Sequence, residues 1–89
     1  MKAIVTVIGQ DKVGIIAKVS SYLAEKNVNI LDINQTIMKD IFTMIMMVDT
    51  EKCNVEFKDF VAGIEELGNQ LGVQILATSE AIYKSMHRI

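Results

Sequence analysis

Apolar residues in this chain recur at two spacings, and the switches between them mark out the elements. Lys2 to Ile8 (KAIVTVI) is short and dense in β-branched residues, which predicts a buried strand. Gly9-Gln10-Asp11-Lys12 ends it. From there to about Lys26, Ile15, Ile16, Val19, Tyr22 and Leu23 fall on one helical stripe. Asp11 is a good residue to cap this helix at its start, and Asn27 is acceptable as a left-handed stop at its end. Val28 to Lys39 (VNILDINQTIMK) predicts a long second strand. Ile30 and Ile33 sit at opposite parity within it, so a bulge is expected near Leu31-Asp32. The short polar break Lys39-Asp40 leads into Ile41 to Val48 (IFTMIMMV), a third strand, and the pair predicts a hairpin.

Asp49 to Asn54 is a polar loop. A second helix is expected from about Val55 to Leu71, with Phe57, Phe60, Val61, Ile64, Leu67 and Leu71 at helical spacing and Gly72 stopping it. Val73 to Thr78 predicts a fourth strand. Ser79 then caps a last short helix in which Ile82, Met86 and Ile89 fall at i, i+4 and i+7.

The stretch from Leu23 to Ile30 and that from Gly68 to Ile75 follow one plan: helix end, left-handed stop, Val, polar residue, Ile. They lie about half the chain apart, as two fused βαβ halves would place them. Element order and echo together predict an α+β, ferredoxin-like βαββαβ sandwich: a four-stranded antiparallel sheet, two helices on one face and an additional short C-terminal helix. With no proline, linker or low-complexity run, residues 1–89 form one domain, its core about 1–78 and its C-terminal helical extension about 79–89. The third strand raises a question about partners. Phe42, Met44, Met46 and Val48 point one way and Ile41, Ile45 and Met47 the other, so the face away from the helices is apolar too. Bare apolar faces of that kind are normally covered. A second copy of the chain is the expected cover, with the C-terminal extension as the alternative.

Composition narrows the functional classes. Length allows one core. No apolar run approaches the ~18 residues needed to cross a bilayer, and no leader opens the chain. A single cysteine, Cys53, cannot close an internal disulfide, which suits a reducing cytoplasm. The net charge of −2, with scattered lysines and Arg88 as the sole arginine, gives no general pull toward nucleic acid or anionic membrane.

The residue inventory also argues against the enzymes and carriers this fold can host. An iron–sulfur centre needs several cysteines, and a metal-chaperone loop needs a cysteine pair where this chain has Gly9-Gln10-Asp11-Lys12. An RNA-binding sheet needs exposed aromatics beside basic residues, and Phe42 stands alone among methionines. Phosphoryl chemistry in the first turn would need an arginine there. His87, the sole histidine, lies at the far terminus with Cys53 in a distant loop, and Asp32 and Glu65-Glu66 show no paired spacing for acid–base work. The expectation is therefore no enzyme, no metal and no cofactor. The Asn34-Gln35-Thr36 sequon lacks an export signal and reads as accidental.

What remains is Gly9-Gln10-Asp11-Lys12-Val13-Gly14-Ile15-Ile16, a strand-to-helix turn with two glycines. Gly9 permits positive φ at the strand exit, and Gly14 in the first helical turn permits close approach to the backbone. Free amides at the helix start favour a carboxylate, and Asp11 beside them accepts hydrogen bonds from an ammonium group, a combination that suits an amino acid. A plainer account also fits: Asp11 only caps the helix and Gly14 only allows tight packing.

Residues Gly9 to Val19, as G-x-D-x-x-G-I-[IV]-A-x-V, and Asn27 to Gln35, as N-x-N-I-x-D-I-x-Q, resemble the ACT domain, the small-molecule-binding module of amino-acid metabolism. The chain is similar in particular to short stand-alone members with a C-terminal extension. The resemblance implies homodimers or higher oligomers, with an effector held where the first turn of one subunit meets the start of the second strand of its neighbour. It implies as ligand-binding residues Gly9, Gln10, Asp11, Val13, Gly14 and Ile15 in the turn, and Asn29 and Ile30 on the neighbouring strand. Asp11 and Val13 stand where family members often carry Asn and Pro. The functional expectation is a cytoplasmic, amino-acid-sensing regulatory domain, working as a homodimer on a separate partner protein. The alternative is a protein–protein interaction module with no small ligand.

Overall fold

The computed structural model describes residues 1–10 and 13–86. In chain order it contains β1 (Lys2–Gln10), α1 (Ile15–Glu25), β2 (Asn29–Met38), β3 (Ile41–Asp49), α2 (Phe57–Leu71), β4 (Gln74–Ser79) and α3 (Glu80–Met86). The strands form one antiparallel sheet in the order β2-β3-β1-β4, the expected ferredoxin-like sandwich with its additional helix.

Strand alternation decides which residues reach the helices. Ala3, Val5 and Val7 of β1, Phe42, Met44, Met46 and Val48 of β3, and Ile75 and Ala77 of β4 are buried on one face. The helices return Ile15, Val19 and Leu23 from α1 and Phe60 and Ile64 from α2. Each such side chain contributes about 1.5–3 kcal/mol when fully buried. Two of the clustered methionines, Met44 and Met46, are thus core filling.

The expected punctuation recurs, with two corrections. Asn27 (φ 61°) and Gly72 (φ 75°) take left-handed stops after α1 and α2, Lys39 (φ 59°) turns the hairpin, and the register slips between Ile30 and Asp32. The first correction is at the start of α1. Gly14 occupies the position before the first helical residue, so the cap falls there and not on Asp11, which lies outside the described residues. The second concerns Gly9, which is not at positive φ. It lies inside β1, opposite Phe42, and a Cβ there would meet Val73 Cγ1 at 2.6 Å and Val73 Cα at 3.2 Å. Gly9 is small because β4 begins against it.

The connection from β3 to α2 is tied to the C-terminal end of α1. Asn54 donates its backbone N–H to the Lys26 carbonyl (3.1 Å) and its side-chain amide to the Glu25 carbonyl (2.9 Å), while the Asn27 amide donates to the Lys52 carbonyl (2.9 Å). The two bonds from Asn54 satisfy carbonyls that the end of α1 otherwise leaves unpaired. Nearby, the Tyr22 hydroxyl donates to the Phe60 carbonyl (2.9 Å), joining the two helices, and the Lys26 ammonium lies 5.5 Å from the Tyr22 ring centre. Burial raises the Tyr22 hydroxyl above its ordinary pKa, helped by the negative charge available at Cys53 and Glu25.

On the other face, α3 leaves β4 directly after Ser79, with Ser79 Oγ accepting the Ile82 N–H (3.2 Å), and packs on β1 and β4. At that corner Ile4 is buried. The rest of the face stays open: Ile8, Ile41, Ile45 and Leu76 are 38–52% exposed. Among the described residues, α3 therefore covers a corner of the second face and leaves its centre bare.

Two outcomes follow from these contacts. Gly9→Ala is expected to destabilise the fold by about 1–3 kcal/mol in urea unfolding, because Val73 backbone as well as side chain must move. Tyr22 holds its proton more tightly folded than unfolded, so its contribution is intact below the ordinary value of 10.0 and is lost as pH rises above it. Tyr22→Phe should lose about 1 kcal/mol at neutral pH and no longer show this alkaline loss when urea midpoints are compared across pH.

Candidate functional site

The site begins with backbone geometry at the turn. Gly14 sits at φ 94°, ψ −2°, a conformation that L side chains rarely adopt, and among the described residues nothing lies within 4 Å of where its Cβ would stand. Its glycine is therefore a conformational requirement and leaves open space beside the helix start. Among the described residues no side chain caps α1, and no acidic residue occupies its first turn. A helix start of this kind presents its first amides at the positive end of the helix dipole.

Of the turn residues implied by the resemblance, Gln10 and Val13 are exposed, Gly14 is half-exposed, and Ile15 is buried in the core, so only its backbone faces the turn. The space over Gly9 is filled by Val73. Asp11 lies outside the described residues.

The register separates the two halves of the expected site. Gln10 and Met38 both pair with Ile41, so the turn shares a sheet end with the β2–β3 hairpin. Asn29 and Lys2 both pair with Asp49, at the opposite end. The ten residues of β2 span roughly 30 Å between these ends. Within one chain, then, Gly14 and Asn29 do not meet.

Around Asn29, however, the structure builds a cavity of about 520 Å³. Ala24 and Val28 supply its apolar lining, and Asn27, Asn29, Asp49, Glu51 and Lys52 its polar lining. Asp49 is held in place: its carboxylate is 3.8 Å from the N-terminal ammonium of Met1 and accepts the Glu51 N–H (3.0 Å). Thr50 fastens the same corner by donating its N–H and its hydroxyl to the Met1 carbonyl (2.8 Å each). Asp49, Glu51 and Lys52 were absent from the sequence expectations. Asp49 ends β3 opposite Asn29, and Glu51 and Lys52 follow in a polar loop whose charges look like solvated surface until the bonds of Asn27 and Asn54 hold that loop against the end of α1.

The residues weighed for chemistry stay apart from this site or cannot be placed. Cys53 is half-buried and packs on the core. His87, Arg88 and Ile89 lie outside the described residues. Among the described residues no three His, Cys, Asp or Glu side chains are grouped to hold a metal ion, and no helix is long and apolar enough to cross a membrane.

Comparison with known proteins gives concordant matches. Residues 2–78 match a family model described as ACT domain. A UPF0237 protein from Clostridium acetobutylicum is 55% identical over 89 residues, covering 100% of both chains. Another, from Methanocaldococcus jannaschii, is 50% identical over 88 residues, covering 99% of this chain and 98% of that one. The solved structure of an ACT domain protein from Streptococcus pneumoniae superposes with a TM-score of 0.82 at 42% identity, over 93% of each chain.

The conformation of Gly14 is directly testable. Gly14→Ala and Gly14→Val should each destabilise the fold by about 1–3 kcal/mol through the left-handed backbone alone, and Gly14→Asn by less. Thermal unfolding of the three variants measures the order, and equal losses for Ala and Asn would contradict a purely conformational origin.

Proposed function

The chain belongs to the ACT domain family, and on that premise we propose that it is a regulatory domain that binds a small effector, an amino acid, between two copies of itself. The observation that carries this reading is the state of β2. It is an edge strand of ten residues bonded only to β3, and all of it except Ile30 is exposed. Ile33 and Ile37 lie on the helix side of the sheet, beside Met46 and Phe42, yet remain 43% and 55% exposed. A long edge with apolar residues and unpaired amides is a template for another strand.

Pairing of β2 with β2 of a second copy, antiparallel about a two-fold axis, places the Asn29 end of each strand at the Met38 end of the other. The turn at Gly14 shares that end through Ile41. Such a dimer therefore carries two equivalent composite sites, each with a helix start from one chain and the Asn29 cavity from the other. An amino acid suits the pair of surfaces: its carboxylate meets the first amides of α1, and its ammonium group meets acidic side chains, Asp11 included. Its role is regulatory and not catalytic. Occupancy changes the state offered to a separate partner protein, limited by the effector's differential affinity for the two states.

The open sheet face supports a second reading, a module that only binds proteins. Ile8, Ile45 and Leu76, with Ile82 and Met86 of α3, offer an apolar surface for this.

Two measurements separate these readings. Ile33→Lys, at an exposed position, should leave stability within about 0.5 kcal/mol and convert the dimer to monomer in analytical ultracentrifugation. In calorimetric titration with the standard amino acids, wild type should give heat with at least one, and Ile33→Lys and Gly14→Val should give none. A folded dimer silent to every amino acid would leave the interaction module standing.

A further inference from the structure

We propose that the loop from Asp49 to Lys52 reads the side chain of the effector and selects amino acids with polar or charged side chains over aliphatic and aromatic ones. This rests on the composite site proposed above. In that site the carboxylate and ammonium groups of the ligand are engaged at the turn of one subunit, so its side chain enters the cavity of the other. Shape selects little there, because on the free chain the depression is half open to solvent. The lining must select.

The polar groups of the cavity differ in how far they are already satisfied. Asp49 is engaged by the Met1 ammonium and the Glu51 N–H, and the Asn27 amide is committed to the Lys52 carbonyl. The Glu51 carboxylate and the Lys52 ammonium have no charged partner among the described residues, and the Asn29 side chain has no hydrogen bond there. A negative group, a positive group and an amide are thus presented together on a loop whose backbone is fastened at both ends: through Thr50 to Met1 and through Asn54 to α1.

In the free chain water satisfies these groups. Closing a second subunit over the cavity displaces that water. A ligand with a polar side chain restores the lost hydrogen bonds, and an aliphatic one leaves two separate charged groups and an amide unsatisfied. Sites built to hydrogen-bond a ligand reject analogues lacking the polar group far more strongly than apolar pockets reject an added one.

Competitive calorimetry on the full chain tests this, with aspartate, glutamate, asparagine, glutamine and serine against valine, leucine and phenylalanine. Wild type should bind the best polar amino acid about tenfold or more tightly than any of the apolar three. The double variant Glu51→Met, Lys52→Met, both exposed positions, should keep its fold by circular dichroism, weaken the preferred polar ligand by about tenfold and narrow or reverse the preference. Preference of wild type for valine, leucine or phenylalanine overturns the inference. So does an unchanged ranking in the double variant, and in both cases loss of binding in the folded Ile33→Lys monomer shows that the composite site stands. Absence of binding to all eight by wild type overturns site and selectivity together.

Discussion

Two short helices can cover only one face of a four-stranded sheet, and on that face they do not reach its edge. That shortage of cover governs the molecule. The chain commits the helix-side residues of β1, β3 and β4 to one tight core in which Phe60, Leu23, Met44 and Met46 are almost entirely removed from water. Nothing comparable is left for β2, whose Ile33 and Ile37 face the same layer without reaching it. On the opposite face α3 shelters the corner around Ile4 and no more. The stability of the domain and its surplus of apolar surface have one origin: 89 residues are enough for one core and not enough to enclose it.

Much of this was legible in the order of residues. The shift from alternating to helical spacing located every element, the parity slip between Ile30 and Ile33 marked the bulge, and Asn27 and Gly72 marked both helix stops. These are local signals, each settled by neighbours in the chain. The failures were of another kind. Asp11 has the right chemistry for a cap, but the left-handed Gly14 sets the start of α1 three residues further on. Gly9 looked like a turn glycine because it follows a strand, and it is a packing glycine because Val73 approaches from the distant start of β4. Nor does periodicity show which residues of an apolar strand are covered, since that depends on where the helices end.

The candidate site shows the same division. Its turn half was visible because Gly14 and the residues around it carry a pattern. Its cavity half was only partly visible: Asn29 was expected and strand pairing sets Asp49 opposite it, but Glu51 and Lys52 come beside it on a loop held by bonds from Asn27 and Asn54 to backbone carbonyls. Side-chain-to-backbone bonds of this sort depend on where two backbones happen to approach. They leave no periodicity in the chain.

For the two-chain site proposed above, the separation of Gly14 and Asn29 to opposite ends of the sheet has a further consequence. A receptor completed within one chain responds to its effector at any dilution. A receptor whose halves come from two chains makes association and ligand occupancy a single linked equilibrium: effector tightens the assembly, and assembly tightens the effector. The concentration at which such a protein switches then depends on how much of it the cell makes, so expression level becomes a second input to the same response.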